Sequence, residues 1–157
     1  MPIEEPTAQD TPFSAVDPAA SRLIFLAMLG LVVGGFVAFR MLSQPAPPPP
    51  PEVARDALLS RGREIFLARC ATCHGNDGRG DGPIARHLLG PPVGNLTDDH
   101  WKHGDRPDQV IAVIAQGVPK TRMEGWSHVL DPPDLRAAAG YVYYLAQRPV
   151  PEALRNP

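Results

Sequence analysis

The sequence predicts an all-α protein: three main helices in one domain, preceded by a single N-terminal membrane-spanning helix. Three observations predict it. Residues 23–39 carry no charge over 17 positions. Apolar residues recur at helical spacing in three later segments, each bounded by cap or stop residues. The pentapeptide Cys70-Ala71-Thr72-Cys73-His74 sits at the end of the first of these segments.

With Arg40, Met41 and Leu42 the apolar run reaches about 20 residues, enough to cross a bilayer as a helix. Arg40 is placed to snorkel to the interface. A cleaved signal peptide is the competing reading, but the preceding region is acidic, the core is long and no A-x-A site follows. The expected organisation is an acidic disordered tail (1–21), the anchor helix (22–43), a proline-rich linker (44–51), the globular domain (52–150) and a C-terminal tail (151–157). Gly30, Gly34 and Ala38 form a small-residue stripe, an expected approach site for a second membrane helix.

Residues 45–51 are six prolines and one alanine. Polyproline II rises about 3.1 Å per residue, so this spacer reaches roughly 20 Å. In the globular part Leu58, Gly62, Ile65 and Phe66 fall at i, i+4, i+7 and i+8 and predict the first helix. Asp105-Arg106-Pro107 opens a second, with Val110, Ile111, Val113 and Ile114 on its inner side and Gly117 as its stop. Asp131 caps a third, with Pro132 at its first position and Pro149 beyond its end.

The pentapeptide is the pattern of c-type haem attachment. Two thiols three positions apart each add across one vinyl group of a porphyrin, and the adjacent histidine supplies an imidazole to the iron. The alternatives fit poorly. Cys70 and Cys73 are the only cysteines, so a four-ligand zinc site lacks a second pair. A redox pair wants a βαβ context, and a disulfide this local would stabilise little.

On Gly62–Phe66, Cys70–Gly75, the run from Gly78 to Pro83, and Met123-Glu124-Gly125-Trp126, the chain resembles the class I cytochrome c family, specifically its membrane-anchored bacterial monohaem members. The resemblance implies the class I cytochrome c fold, with first and last helices crossing at Gly62, Phe66 and Tyr141. It implies one haem c, covalent through Cys70 and Cys73, with His74 and Met123 as iron ligands. It further implies haem on the outer, periplasmic side of the bacterial cytoplasmic membrane and the N-terminus inside.

Met123 is the one methionine of the globular part and lies in a charged loop rather than on an apolar face. His87, His100, His103 and His128 are the other candidates for the sixth position. The resemblance implies Pro83 as acceptor of the His74 N–H through its carbonyl; the alternative is a plain turn residue. Trp126 is expected to donate its indole N–H to a propionate.

No Ser/His/Asp set or carboxylate pair suggests a reaction of the chain's own. The expected function is therefore one-electron transport between partner proteins of a respiratory chain. A haem subunit fixed in a larger respiratory complex, and a ligand-binding sensor or enzyme subunit, are the alternatives. Thirteen basic and thirteen acidic residues follow position 51, so totals reveal no charged docking face and give no case for nucleic acid.

Overall fold

The computed structural model describes residues 17–42 and 47–156. It divides into two units, Met1–Pro45 and Ala46–Pro157. The acidic segment 1–16 and the linker residues 43–46 lie outside the described residues.

In the first unit, helix α1 spans Pro18–Leu42. It starts inside the expected tail, because Asp17 caps it: its Oδ1 accepts the Ala19 N–H at 2.9 Å and its carbonyl the Ser21 N–H at 2.9 Å. Its Pro18–Arg40 stretch is long and apolar enough to cross a membrane. At 1.5 Å per residue, 25 residues extend about 37 Å, more than a hydrocarbon core of about 30 Å. A Cβ added at Gly30 or Gly34 would meet nothing within 4 Å, so that face is open.

The second unit is helical, with no strand among the described residues. Its elements are α2 (Pro51–Arg55), α3 (Ala57–Ile65), a π-helical turn (Phe66–Cys70), α4 (Ala71–His74), a 3-10 turn (Ala85–His87), α5 (Pro107–Gln116), α6 (Pro132–Leu145) and a last 3-10 turn (Glu152–Leu154). Three main helices, α3, α5 and α6, are those expected. Pro51 is not spacer but the first residue of α2, where a missing N–H costs nothing. Asp56 caps α3 by accepting from Leu58 and Leu59, and Asp131 caps α6 by accepting from Asp134 at 2.9 Å.

The inner faces differ in detail from the sequence pattern. In α3 the buried residues are Leu59, Gly62 and Ile65, followed by Phe66, while Leu58 is half-buried against Gly140. In α5, Val110 and Ile114 are buried, one turn apart, and Val113 is half-buried. Of the expected tail at 151–157, the described residues 151–156 instead pack on the domain. Leu154 is 1% exposed in the core, and Arg155 donates to Asp56 at 2.7 Å.

Helices α3 and α6 cross in direct contact. A Cβ at Gly62 would collide with the Ala137 carbonyl and lie 2.8 Å from Tyr141 Cβ. The Phe66 and Tyr141 rings pack beside the crossing with centroids 5.4 Å apart, and Phe66 is 2% exposed. Burying such a ring contributes about 2–3 kcal/mol. Arg61 grips Asp134 with both nitrogens, Nε to Oδ1 at 2.8 Å and Nη2 to Oδ2 at 2.6 Å, and holds that carboxyl below its usual range.

Alanine in place of glycine at an open helical position gains about 1 kcal/mol. At Gly62 the backbone contact reverses the sign, since overpacking costs about 1–3 kcal/mol. Gly62→Ala is therefore expected to lower the thermal midpoint of the haem domain. An unchanged or raised midpoint would show that the two helices are not in contact there.

Candidate haem site

The attachment turn is built by a change of helix type. After Ile65 the chain widens into a π-helical turn, and the Ala71 N–H donates to the Phe66 carbonyl, five residues back. One extra residue per turn rotates the succeeding residues by about 100° relative to α3. Buried Phe66 is thus succeeded on the inner face by buried Ala71, leaving Cys70 and Cys73 half-buried at the edge. Both thiols are free.

Helix α4 is one turn long, and its carbonyls would be orphaned without outside partners. The following loop supplies them. Ile84, Gly82 and Gly80 donate to the carbonyls of Thr72 (3.2 Å), Cys73 (3.0 Å) and His74 (2.8 Å) respectively. This explains the glycine run. A Cβ at Gly82 would lie 2.6 Å from the Cys73 carbonyl oxygen, and one at Gly80 2.6 Å from that of Val93.

His74 is half-buried, whereas His87, His100, His103 and His128 are all exposed. Its Nδ1 lies 3.1 Å from the Gly94 carbonyl. Burial pushes its pKa down, against a smaller upward pull from that hydrogen bond, so the neutral ring is favoured. With the proton on Nδ1, donated to Gly94, Nε2 keeps its lone pair for a metal. Of the two readings of Pro83, acceptor or plain turn residue, the structure shows the turn residue. Pro83 is exposed and follows Gly82, and the carbonyl at Nδ1 belongs to Gly94, twenty residues on.

Burial and the neighbouring Cys73 push the Cys70 thiol up to about 11. Catalytic redox thiols have depressed values, so this pair does not suit dithiol exchange. No group of three or more His, Cys, Asp or Glu among the described residues could hold a metal ion by itself. Two separate thiols one turn apart with a neutral imidazole beside them fit the covalent attachment of haem c instead.

That loop is a hairpin closing α5. Gly117, at φ 75°, turns the chain, and Gly117 bridges antiparallel to Glu124. The Val118 N–H donates to the Met123 carbonyl at 3.0 Å, and the Met123 N–H to Thr121 Oγ1 at 3.1 Å. Met123 itself is half-buried. Beyond it, the Trp126 and Ser127 amides donate back to the Ile114 and Ala115 carbonyls at 2.9 and 3.2 Å.

The two halves meet through a residue that carried no sequence signal. The Arg69 guanidinium, adjacent to Cys70, lies 6.0 Å from the centroid of the Trp126 ring. His128 stacks on Trp126 at 6.4 Å and 13°. Trp101 likewise stood outside every motif. Its ring packs against Tyr143 and Arg148, and its Nε1 is buried without a partner among the described residues.

Residues 57–142, more than half of the chain, match the family described as cytochrome c oxidase, cbb3-type, subunit III. A cbb3-type cytochrome c oxidase subunit FixP from Bradyrhizobium diazoefficiens is 36% identical over 86 residues, covering 55% of this chain and 27% of that protein. Subunit CcoP from Cereibacter sphaeroides is 38% identical over 93 residues, covering 57% and 28%. A solved protein of the Kuenenia stuttgartiensis reducing HAO-like complex aligns over 55% of this chain and 41% of that one, at 26% identity and TM-score 0.46. The chain spans about a third or less of the length of the curated relatives it matches. Over the segment that holds the attachment turn, the half-buried imidazole and the methionine hairpin, the chain belongs to the subunit III family of cbb3-type cytochrome c oxidases.

Proposed function

We propose that this chain is a membrane-anchored monohaem cytochrome c that receives and passes single electrons among respiratory partners, with a cbb3-type oxidase as its complex. The single observation that carries the reading is the Arg69–Trp126 contact. It ties the turn bearing Cys70, Cys73 and His74 to the hairpin bearing Met123.

A haem held there would supply a one-electron change between ferric and ferrous iron. The protein's part is to hold and tune it. Cys70 and Cys73 fix it covalently, and Gly94 holds the His74 ring with Nε2 free. Met123 supplies a soft sulfur, which raises the reduction potential. The hairpin hydrogen bonds at Val118 and Thr121 hold that residue in place without a ligand's help. Trp126 is assigned as donor to a propionate. With His74 and Met123 both holding the iron, no position on it would remain for a substrate. The chain then acts as an electron-transfer component rather than as an enzyme of its own.

Helix α1 is the anchor, and the domain stands on the side of the membrane where c-type haem is attached, the periplasmic side. The open stripe of Gly30, Gly34 and Ala38 is assigned to a neighbouring membrane helix in the complex.

Mass spectrometry of the purified chain is expected to show one haem on the peptide holding residues 70–74. The oxidised protein should show the weak near-infrared sulfur-to-iron band, and the reduced protein should resist carbon monoxide. Met123→Ala is expected to remove the band, lower the potential and open the iron to carbon monoxide. A parent protein that lacks the band and binds carbon monoxide readily would instead favour a ligand-binding role.

The partner assignment has its own check. Solubilised in mild detergent, the tagged chain should bring down the other subunits of a haem–copper oxidase. Recovery of the chain alone, under conditions that keep the oxidase intact, would favour a free tethered shuttle.

A further inference from the structure

A polyproline stretch makes no hydrogen bonds of its own and leaves its carbonyls free for an outside donor. Pro47–Pro51 of this chain are consecutive prolines, and they do not stand clear of the domain. Pro50 has φ −55° and ψ 149°, the geometry of polyproline II. Its carbonyl accepts the Ala54 N–H at 2.9 Å, so the run passes directly into α2.

The run is held at both ends. At its start the Arg63 guanidinium, on α3, donates from Nη2 to the Pro47 carbonyl. Arg63 is half-buried and joins no ion pair among the described residues. It also lies beside α6: burial pushes the Tyr141 phenol up, and the neighbouring Arg63 pulls it partly back. Just past the run, the Tyr144 hydroxyl donates to Glu52 Oε1 at 2.9 Å. The Tyr144 ring stacks on that of Tyr141 with centroids 5.6 Å apart. Val53 follows, 0% exposed in the cluster that holds Phe66 and Tyr141.

The two ends differ in strength. Val53 is core, and α2 stays with the domain because of it. The Arg63–Pro47 and Tyr144–Glu52 bonds are exposed. There a hydrogen bond competes with water, and its net worth is small. Between them Pro48 and Pro49 are exposed and Pro50 is half-buried. Each proline ring already fixes φ, so the segment has little freedom to lose when it is pinned, and few bonds are needed to hold it.

We propose that Arg63 and Tyr144 clamp Pro47–Pro50 as a strap on the α3–α6 face of the haem domain, a catch that sets the length of the domain's tether and the direction in which the chain leaves the domain. With the strap closed, residues 43–46 are the spacer that follows α1. With it open, the spacer runs on through Pro50 and gains about 12 Å at about 3.1 Å per residue. The occupant of this face is thus the chain's own proline segment, and Arg63 is the residue that decides between the two states.

The test uses the full chain in neutral detergent. Pro48 and Ala153, both exposed positions of the second unit, are each replaced by p-acetylphenylalanine. Nitroxides joined to the two ketones leave Cys70 and Cys73 untouched. Pulsed dipolar spectroscopy is expected to give one narrow distance distribution in this parent. Arg63→Gln should broaden it several-fold, and Arg63→Lys, which keeps a donor on a long stem, should recover part of the narrow width. Tyr144→Phe should broaden it less, since Val53 still holds α2.

Arg61→Gln removes an equal charge from the same helix but from a side chain that binds Asp134, and should leave the width as in the parent. Equal broadening in Arg61→Gln and Arg63→Gln would mean a loosened α3 rather than an opened strap, and would overturn the proposal. A width that Arg63→Gln leaves unchanged would mean that proline stiffness alone sets the direction, and would overturn it as well. An unchanged helical circular dichroism spectrum confirms that each variant is folded.

Discussion

A methyl group at position 62 has nowhere to go, because the Ala137 backbone of the crossing helix already fills the space. That contact fixes the relation of α3 to α6, and much of the haem domain takes its position from it. The Phe66 and Tyr141 rings close one side of the crossing, and the Arg61–Asp134 pair closes another at the start of α6. Because α3 runs directly into the attachment turn, holding α3 also holds Cys70, Cys73 and His74. Glycine has the poorest helix propensity after proline. Its presence at a buried helical position is explained by the close approach it permits.

From this crossing the site is assembled by backbone hydrogen bonds rather than by a dense side-chain network. The one-turn helix α4 gives its last carbonyls to Gly80, Gly82 and Ile84. The Met123 hairpin gives its amides to the end of α5 and to Thr121. Both segments thus have backbone polar groups satisfied by neighbouring turns. The π-helical turn belongs to the same design, since it decides that Ala71 rather than Cys70 continues the buried face.

Much of this was legible in the sequence because the signals were local. Asp131-Pro132 and Pro107 set helix starts by capping and by the missing N–H of proline, and both starts appear where expected. The attachment pentapeptide is contiguous, so its reading needed no tertiary information. The illegible features depend on distance along the chain. The partner of His74 is the Gly94 carbonyl, and any residue type could have supplied it, which is why the sequence left Pro83 open between acceptor and plain turn residue. Arg69 meets Trp126 across 57 positions of sequence, and no periodicity announces such a pair. The widening of α3 into a π turn left no mark either, since Phe66–Cys70 contains ordinary helix formers. The C-terminal residues looked like a tail because one buried leucine, Leu154, carries no pattern.

Iron held between His74 and Met123 is the central claim. X-ray absorption at the iron edge of the oxidised full-length protein tests it most directly, because a sulfur scatterer differs from nitrogen in both distance and phase. One sulfur and five nitrogens are expected around the iron in the parent, and no sulfur in Met123→Ala. Six light scatterers in the parent would contradict the claim and would move the sixth position to a histidine.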